Sequence, residues 1–314
     1  MEYYDIDLKK LKRYSIRERN NKVKIEQFAP PIRAADEKNV LNCFPDILTG
    51  KDLKEVVKIT AQAKRAARAV IFAIGGHVIK CGLGNIINDL MRQGVVTCIL
   101  MNGAASIHDF EIAMIGETSE DVQTVLGEGE FGMAEETGKM HNAAICFAAE
   151  KGIGLGYSLG KYIKDFQFEF RKHSILYTAY ELGIPALVSV AIGDDITHMH
   201  PEASGAAIGK ASYLDFLKLA SVLPNLANGG VYYNIGSAVI LPEVFLKAFS
   251  IVQNLGYDMS GLYTVNMDMQ SQYRPLTNVV KRPTLRCGKG YNLIGTHEIM
   301  LPILANAIIR ELME

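Results

Sequence analysis

The feature that most constrains this chain is a repeated alternation. Short, fully apolar runs end in glycine or small polar residues and are followed by segments with helical spacing. Ala69–Gly75 (AVIFAIG), Val95–Met101 (VVTCILM), Ala186–Gly193 (ALVSVAIG), Gly230–Gly236 (GVYYNIG) and Leu262–Met267 (LYTVNM) are each the length of a strand. Runs of that length with no polar alternation fit strands buried on both faces. Between them the spacing predicts helices: Asp52, as N-cap, to about Arg65; from GHVIKCGLG to about Arg92; from near Ile107; Ser174–Leu182 with Gly183 as C-cap; Ala211–Leu223; Pro242, as first residue, to Asn254; and a closing amphipathic helix, HEIMLPILANAIIREL. Leu262–Met267 reads as the last strand, and the glycine-spaced GIGLGYSLG (Gly152–Gly160) reads as a mobile connection. Strands alternating with helices predict an α/β fold: a doubly wound, mostly parallel, Rossmann-like sheet with helices on both faces. Residues 1–50, a mixed-charge stretch with a Pro30-Pro31 turn, read as an N-terminal arm, and residues 51–314 as a single domain.

Composition removes several function classes. The 314 residues carry a formal net charge of -1, which argues against nucleic acid as a partner. No apolar stretch approaches the roughly 18 to 20 residues needed to span a bilayer. The five cysteines (Cys43, Cys81, Cys98, Cys146, Cys287) include no CxxC pair, which fits reduced thiols. A soluble cytoplasmic protein is expected.

In an open parallel sheet, ligands bind beyond the carboxyl ends of the strands. The first end, Gly75–Gly82, offers Gly76 and Gly82 for close backbone approach, with His77 beside them and Lys80 to neutralise a phosphate. The second runs from Asn102 and Gly103 to His108 and Asp109, an adjacent pair able to hold an amine or relay a proton. A plainer reading makes Asp109 or Ser106 a helix cap. The third holds Asp194, Asp195, His198 and His200, which suit a cationic substrate or, alternatively, a metal set of Asp194, His198 and His200. A satisfied loop network is the plainer reading there. The fourth is Asn234-Ile235-Gly236-Ser237, and the fifth follows Asn266. Five such ends point together to a dinucleotide crevice, with Asp194 counted among its cofactor contacts.

Three stretches carry a resemblance. GLGNIINDLMRQGVVTCILMNGAASIHDFE, RKHSILYTAYELGIPALVSVAIGDD and GGVYYNIGSAVILPEVFLKA resemble, in order, segments of the deoxyhypusine synthase family, over roughly Asp52 to Lys281. That resemblance implies a homotetramer that uses NAD and transfers an aminobutyl group from spermidine, through a lysine-bound imine, to an amine acceptor. It matches Asp194 to the family's aspartate and puts Lys281 nearest to the imine lysine, though two residues closer to the preceding Arg-Pro. Pro242-Glu243 stand where the family has paired histidines, which brings Glu243 into the expected substrate set with Asp194, Asp195 and His198. Asp268–Gln272 replace a Gly-Ser-Asp-Ser-Gly segment. The alternatives are an Asp/His metal-dependent or small-ligand enzyme without NAD, and a non-enzymatic nucleotide- or polyamine-binding oligomer.

Overall fold

Val70–Ile74 (β1) has three β-branched residues among five and is buried throughout, as a central strand must be. It belongs to a computed structural model that describes residues 40–121, 131–286 and 288–314. The Pro30-Pro31 turn, most of the expected arm and Cys287 lie outside the described residues. β2 (Cys98–Asn102), β3 (Ala186–Ser189), β4 (Val231–Ile235), β5 (Leu262–Asp268) and β6 (Gly288–Ile294) join β1 in one sheet of order β3-β2-β1-β4-β5-β6. Every neighbouring pair is parallel. This is the doubly wound arrangement that the alternation predicts.

Side chains alternate across the sheet, and both faces are dry. Phe72, Ile74, Met101 and Tyr233 pack on one face with Leu53 and Val56 of α1 (Leu48–Arg65) and Leu301 and Leu304 of α10 (His297–Met313). Ile71, Ala73, Leu100 and Tyr232 pack on the other with Leu219 of α8 (Gly205–Val222) and Phe245 of α9 (Ile240–Asn254). Burial of this kind contributes about 1.5–3 kcal/mol per large apolar side chain. No helix among the described residues is long and apolar enough to cross a membrane.

Several elements depart from the sequence reading. α1 starts at Leu48 with Ile47 at its N-cap position, so Asp52 lies inside the helix. GHVIKCGLG forms its own short α2 (Gly76–Lys80), and α3 (Gly84–Arg92) follows a turn in which Gly82 has a φ of +72°. The helix expected near Ile107 starts at Gly103 (α4, Gly103–Ile115), and Pro242 lies two residues inside α9. α5 (Glu135–Lys151) had no clear sequence signal.

GIGLGYSLG is not a loose connection but leads into α6 (Leu155–Asp165), which packs against α7 (Ile175–Leu182). Its glycines serve close packing: a Cβ on Gly156 would lie 2.2 Å from the Ala186 carbonyl oxygen, and one on Gly160 2.5 Å from that of Leu176. β6 follows the strand read as last. Gly288 and Gly290 interrupt its apolar pattern because an added Cβ would meet the carbonyls of Leu262 at 2.3 Å and Val280 at 2.1 Å.

Candidate functional site

The chain leaves β1 towards β2 and leaves β4 towards β5, so a ligand crevice is expected where these adjacent strands part. Two glycine turns wall it. The Gly75 amide donates to the Ile235 carbonyl at 2.9 Å, and a Cβ on Gly75 would lie 2.1 Å from the Gly236 carbonyl oxygen. Gly236 itself has a φ of +67°, a conformation that glycine adopts at little cost. Below the turns, Asn234 donates to Asn266 and Asn266 to Asn292, both at 2.8 Å, which ties the ends of β4, β5 and β6 together. Asn234 Nδ2 also donates to the Ser237 carbonyl, while its Oδ1 is buried without a partner among the described residues.

His297, the first residue of α10, faces this crevice from β6. It is 1% exposed, and neither ring nitrogen has a hydrogen-bond partner among the described residues. Burial pushes its pKa down, Asp268 at the end of β5 partly restores it, and His77 lowers it further. The His77 ring lies 5.7 Å from that of His297, and His77 Nε2 is 3.3 Å from Cys81 Sγ. An unsatisfied buried polar atom costs about 1–3 kcal/mol, so His297 is a group suited to bonding a water or a ligand. Its place at the foot of a helix hid it in the sequence.

A second compartment of about 300 Å³ adjoins on the β1–β3 side, lined by Lys80, Ala104, His108, Glu111, Glu120, Asp194 and Asp195. Four carboxylates against one lysine give it an acidic lining. His108 Nδ1 is engaged with Thr118 Oγ1 at 2.7 Å, so Nε2 is the nitrogen left for proton transfer. Burial raises the Glu111 pKa, but hydrogen bonding with His108, Thr118 and Thr137 outweighs it and holds the carboxyl below its usual value. Asp195 stands over the start of α4, where a Cβ on Gly103 would lie 1.8 Å from its Oδ2. Burial, then the neighbouring charge of Asp194, pushes Asp195 up to about 7. His198 Nε2 is 3.9 Å from Asp195 Oδ2, and its Nδ1 accepts from the Gly193 amide. Beneath lies His141 of α5, which the sequence did not single out. It is brought to about 4 by burial and by His198, against an opposing pull from Glu111.

Other candidate residues do other work. Asp109 accepts from Ser174 Oγ, Ile175 N and Leu176 N, so it caps α7 as the plainer reading had it, although the helix is not its own. Asn102 caps α4 by accepting from Ala105 N, and Ser237 Oγ accepts from Leu241 N. Glu243 pairs with Lys247 and Arg274 and accepts from Asn278, apart from Asp194, Asp195 and His198. Lys281 is exposed at the end of Leu276–Lys281, beyond Val280, whose carbonyl abuts Gly290 rather than the carboxyl end of β6. Asp194, His198 and His200 do not form the alternative metal set. His200 Nε2 is bonded to the Gly132 carbonyl, and among the described residues no group of three or more His, Cys, Asp or Glu is placed to hold an ion.

No family model matches the chain. It is similar to two curated proteins named deoxyhypusine synthase-like protein, from Chlorobaculum parvum and Chlorobaculum tepidum. They are 22% and 23% identical over 249 residues, which is 68% of this chain and 70% of each relative. Its fold is similar to that of a candidate deoxyhypusine synthase from Entamoeba histolytica (TM-score 0.55, 10% identity, 83% of this chain and 88% of that one). It is also similar to ArgZ, an arginine dihydrolase from the ornithine-ammonia cycle in cyanobacteria (TM-score 0.51, 16% identity, 84% of this chain). AgrE in a ternary complex with ornithine and NAD+ is a further match (TM-score 0.52, 15% identity, 83% of this chain). The chain spans about a third of the length of ArgZ and of AgrE, 33% in each case. The resemblance to deoxyhypusine synthase-like proteins is thus borne out in sequence and in fold.

Proposed function

We propose that the chain is an NAD-dependent transferase that takes an aminobutyl group from spermidine, or a related polyamine, and passes it to an amine acceptor. One observation carries this reading: a glycine-walled switch point and a four-carboxylate cavity share one sheet edge. The switch point suits a dinucleotide because its turns meet without side chains and buried polar atoms of Asn234 and His297 have no partner among the described residues. Gly76, His77 and Gly236 would border the dinucleotide, and Lys80, between the two compartments, would meet its phosphates. When bound, NAD supplies the acceptor and donor of hydride. The similarity to deoxyhypusine synthase-like proteins, and the NAD+ held by AgrE, support the cofactor.

The residues divide the remaining work. Asp194, Asp195 and Glu111 hold the ammonium groups and align the carbon next to nitrogen with the switch point. Oxidation of that carbon would give a carbon–nitrogen double bond. The incoming amine would add to that carbon, its proton would pass to the departing nitrogen as the old carbon–nitrogen bond breaks, and return of the hydride to the new carbon–nitrogen double bond would leave the aminobutyl product. His108 Nε2 is the group placed to move that proton. Lys281 as imine carrier and a tetrameric assembly come from the resemblance alone. A second reading keeps the dinucleotide and replaces the polyamine with a basic amino acid. The small cavity and the ornithine in AgrE favour it.

Titration calorimetry tests the cation site. Asp195 is neutral below about 7 and charged above it, so spermidine affinity is expected to rise about 5- to 10-fold between pH 6 and pH 8. Asp195→Asn is expected to remove most of that rise. The unliganded protein behaves oppositely. The Asp195 pKa is raised on folding, so its contribution to stability is full below the ordinary carboxylate range and is lost as pH rises through about 7. Stabilisation by spermidine should therefore grow with pH. No measurable spermidine binding at pH 8, with ornithine bound instead, would favour the second reading.

A further inference from the structure

Three strand ends converge on His297. β5 brings Asp268, the turn after β4 brings Gly236, and α2, which follows β1, brings His77. His297 is almost wholly buried, and both of its ring nitrogens are unpaired among the described residues. Nε2 is directed at Gly236, where a Cβ would come within 2.8 Å of it. Asp268 is 7% exposed, and its Oδ1 accepts a long 3.4 Å contact from the Gln270 amide. The acidic cavity does not include these residues.

We infer that His297 and Asp268 form a recognition point for an uncharged hydrogen-bonding group of the dinucleotide, either its carboxamide or a ribose hydroxyl. The inference rests on the dinucleotide reading above and adds which residues meet which part of it. A neutral imidazole carries one donor and one acceptor, and a carboxylate adds acceptors, a set that matches an amide or a hydroxyl. A diphosphate does not fit this point, because Asp268 and the adjacent Glu298 would repel it. The phosphates are thereby placed away from β5 and β6, on the Gly76 and Lys80 side.

The test is titration calorimetry at pH 7.5 on the full chain, with NAD+ and with ADP-ribose, comparing wild type, His297→Leu and His297→Gln. Imidazole nitrogen NMR of the wild type keeps the inference testable if a variant folds poorly. His297→Leu is expected to weaken NAD+ binding at least ~10-fold, and His297→Gln to recover part of the loss. The His297 nitrogen resonances of the wild type should shift when NAD+ is added. Weakening of NAD+ alone identifies the carboxamide, and weakening of both ligands a ribose hydroxyl. Wild-type NAD+ affinity in His297→Leu, with unmoved nitrogen resonances, overturns this inference and leaves the dinucleotide reading standing. Failure of the wild type to bind NAD+ overturns both.

Discussion

Asp109→Ala is expected to lower the unfolding free energy by about 3–5 kcal/mol, the largest stability loss of any single substitution proposed for this protein. The carboxylate is 1% exposed and accepts from Ser174 Oγ at 2.6 Å, Ile175 N at 2.7 Å and Leu176 N at 3.0 Å. Truncation strands those three donors at the start of α7, in a place water does not reach. It also cuts the tie between α4, which carries His108, and the helix that leads into β3. Burial, opposed by the hydrogen bonds, pushes the carboxyl up to about 6. Asp109→Asn keeps the shape and one acceptor and is expected to cost only about 1–2 kcal/mol, with ligand binding retained. Urea unfolding of both variants checks this. Near wild-type stability of Asp109→Ala with activity abolished would return Asp109 to the chemistry, as the His-Asp pair in the sequence proposed.

Gly75→Ala is expected to weaken NAD+ binding about 30-fold, equivalent to about 2 kcal/mol, and to destabilise the fold by about 1–3 kcal/mol. Gly75 has a φ of -89°, which alanine accepts, so backbone strain is not the cause. The cause is steric. The new Cβ would lie 2.1 Å from the Gly236 oxygen, 2.8 Å from its carbonyl carbon and 3.3 Å from the Ser237 nitrogen, all of them backbone atoms. Only a separation of the β1 and β4 ends relieves that contact, and the crevice lies between them. Gly82→Ala provides the contrast, because an added Cβ there meets nothing within 4 Å. It should cost roughly 1–2 kcal/mol through its left-handed backbone and leave NAD+ affinity unchanged. Calorimetry on the two variants separates a wall of the crevice from a turn outside it.

The sheet was legible because its central strands are buried on both faces, and a run such as VIFAI can do little else. β6 was not, because Gly288 and Gly290 answer to the backbones of Leu262 and Val280, contacts that no local pattern records. GIGLGYSLG misled for the same reason, since its glycines serve helix packing rather than motion. At the site, the rule that ligands gather at the carboxyl edge was enough to choose Lys80, His108, Asp194 and Asp195, which line one cavity. It could not separate them from Asp109 and Asn102, because a capping side chain and a catalytic one look alike in sequence. His141 and His297 were missed because each lies on a helix with no unusual neighbours, and Glu111 because nothing local set it apart from the His108-Asp109 pair before it; only the tertiary fold brings them to the edge.

The most direct measurement incubates the purified chain with spermidine, NAD+ and a small amine acceptor. Absorbance follows NADH while mass spectrometry scores aminobutyl products. The proposed function predicts spermidine-dependent NADH that stays small when acceptor is present, together with a product heavier than the acceptor by the aminobutyl group. Neither NADH nor product, in protein that is folded and binds spermidine, would contradict it.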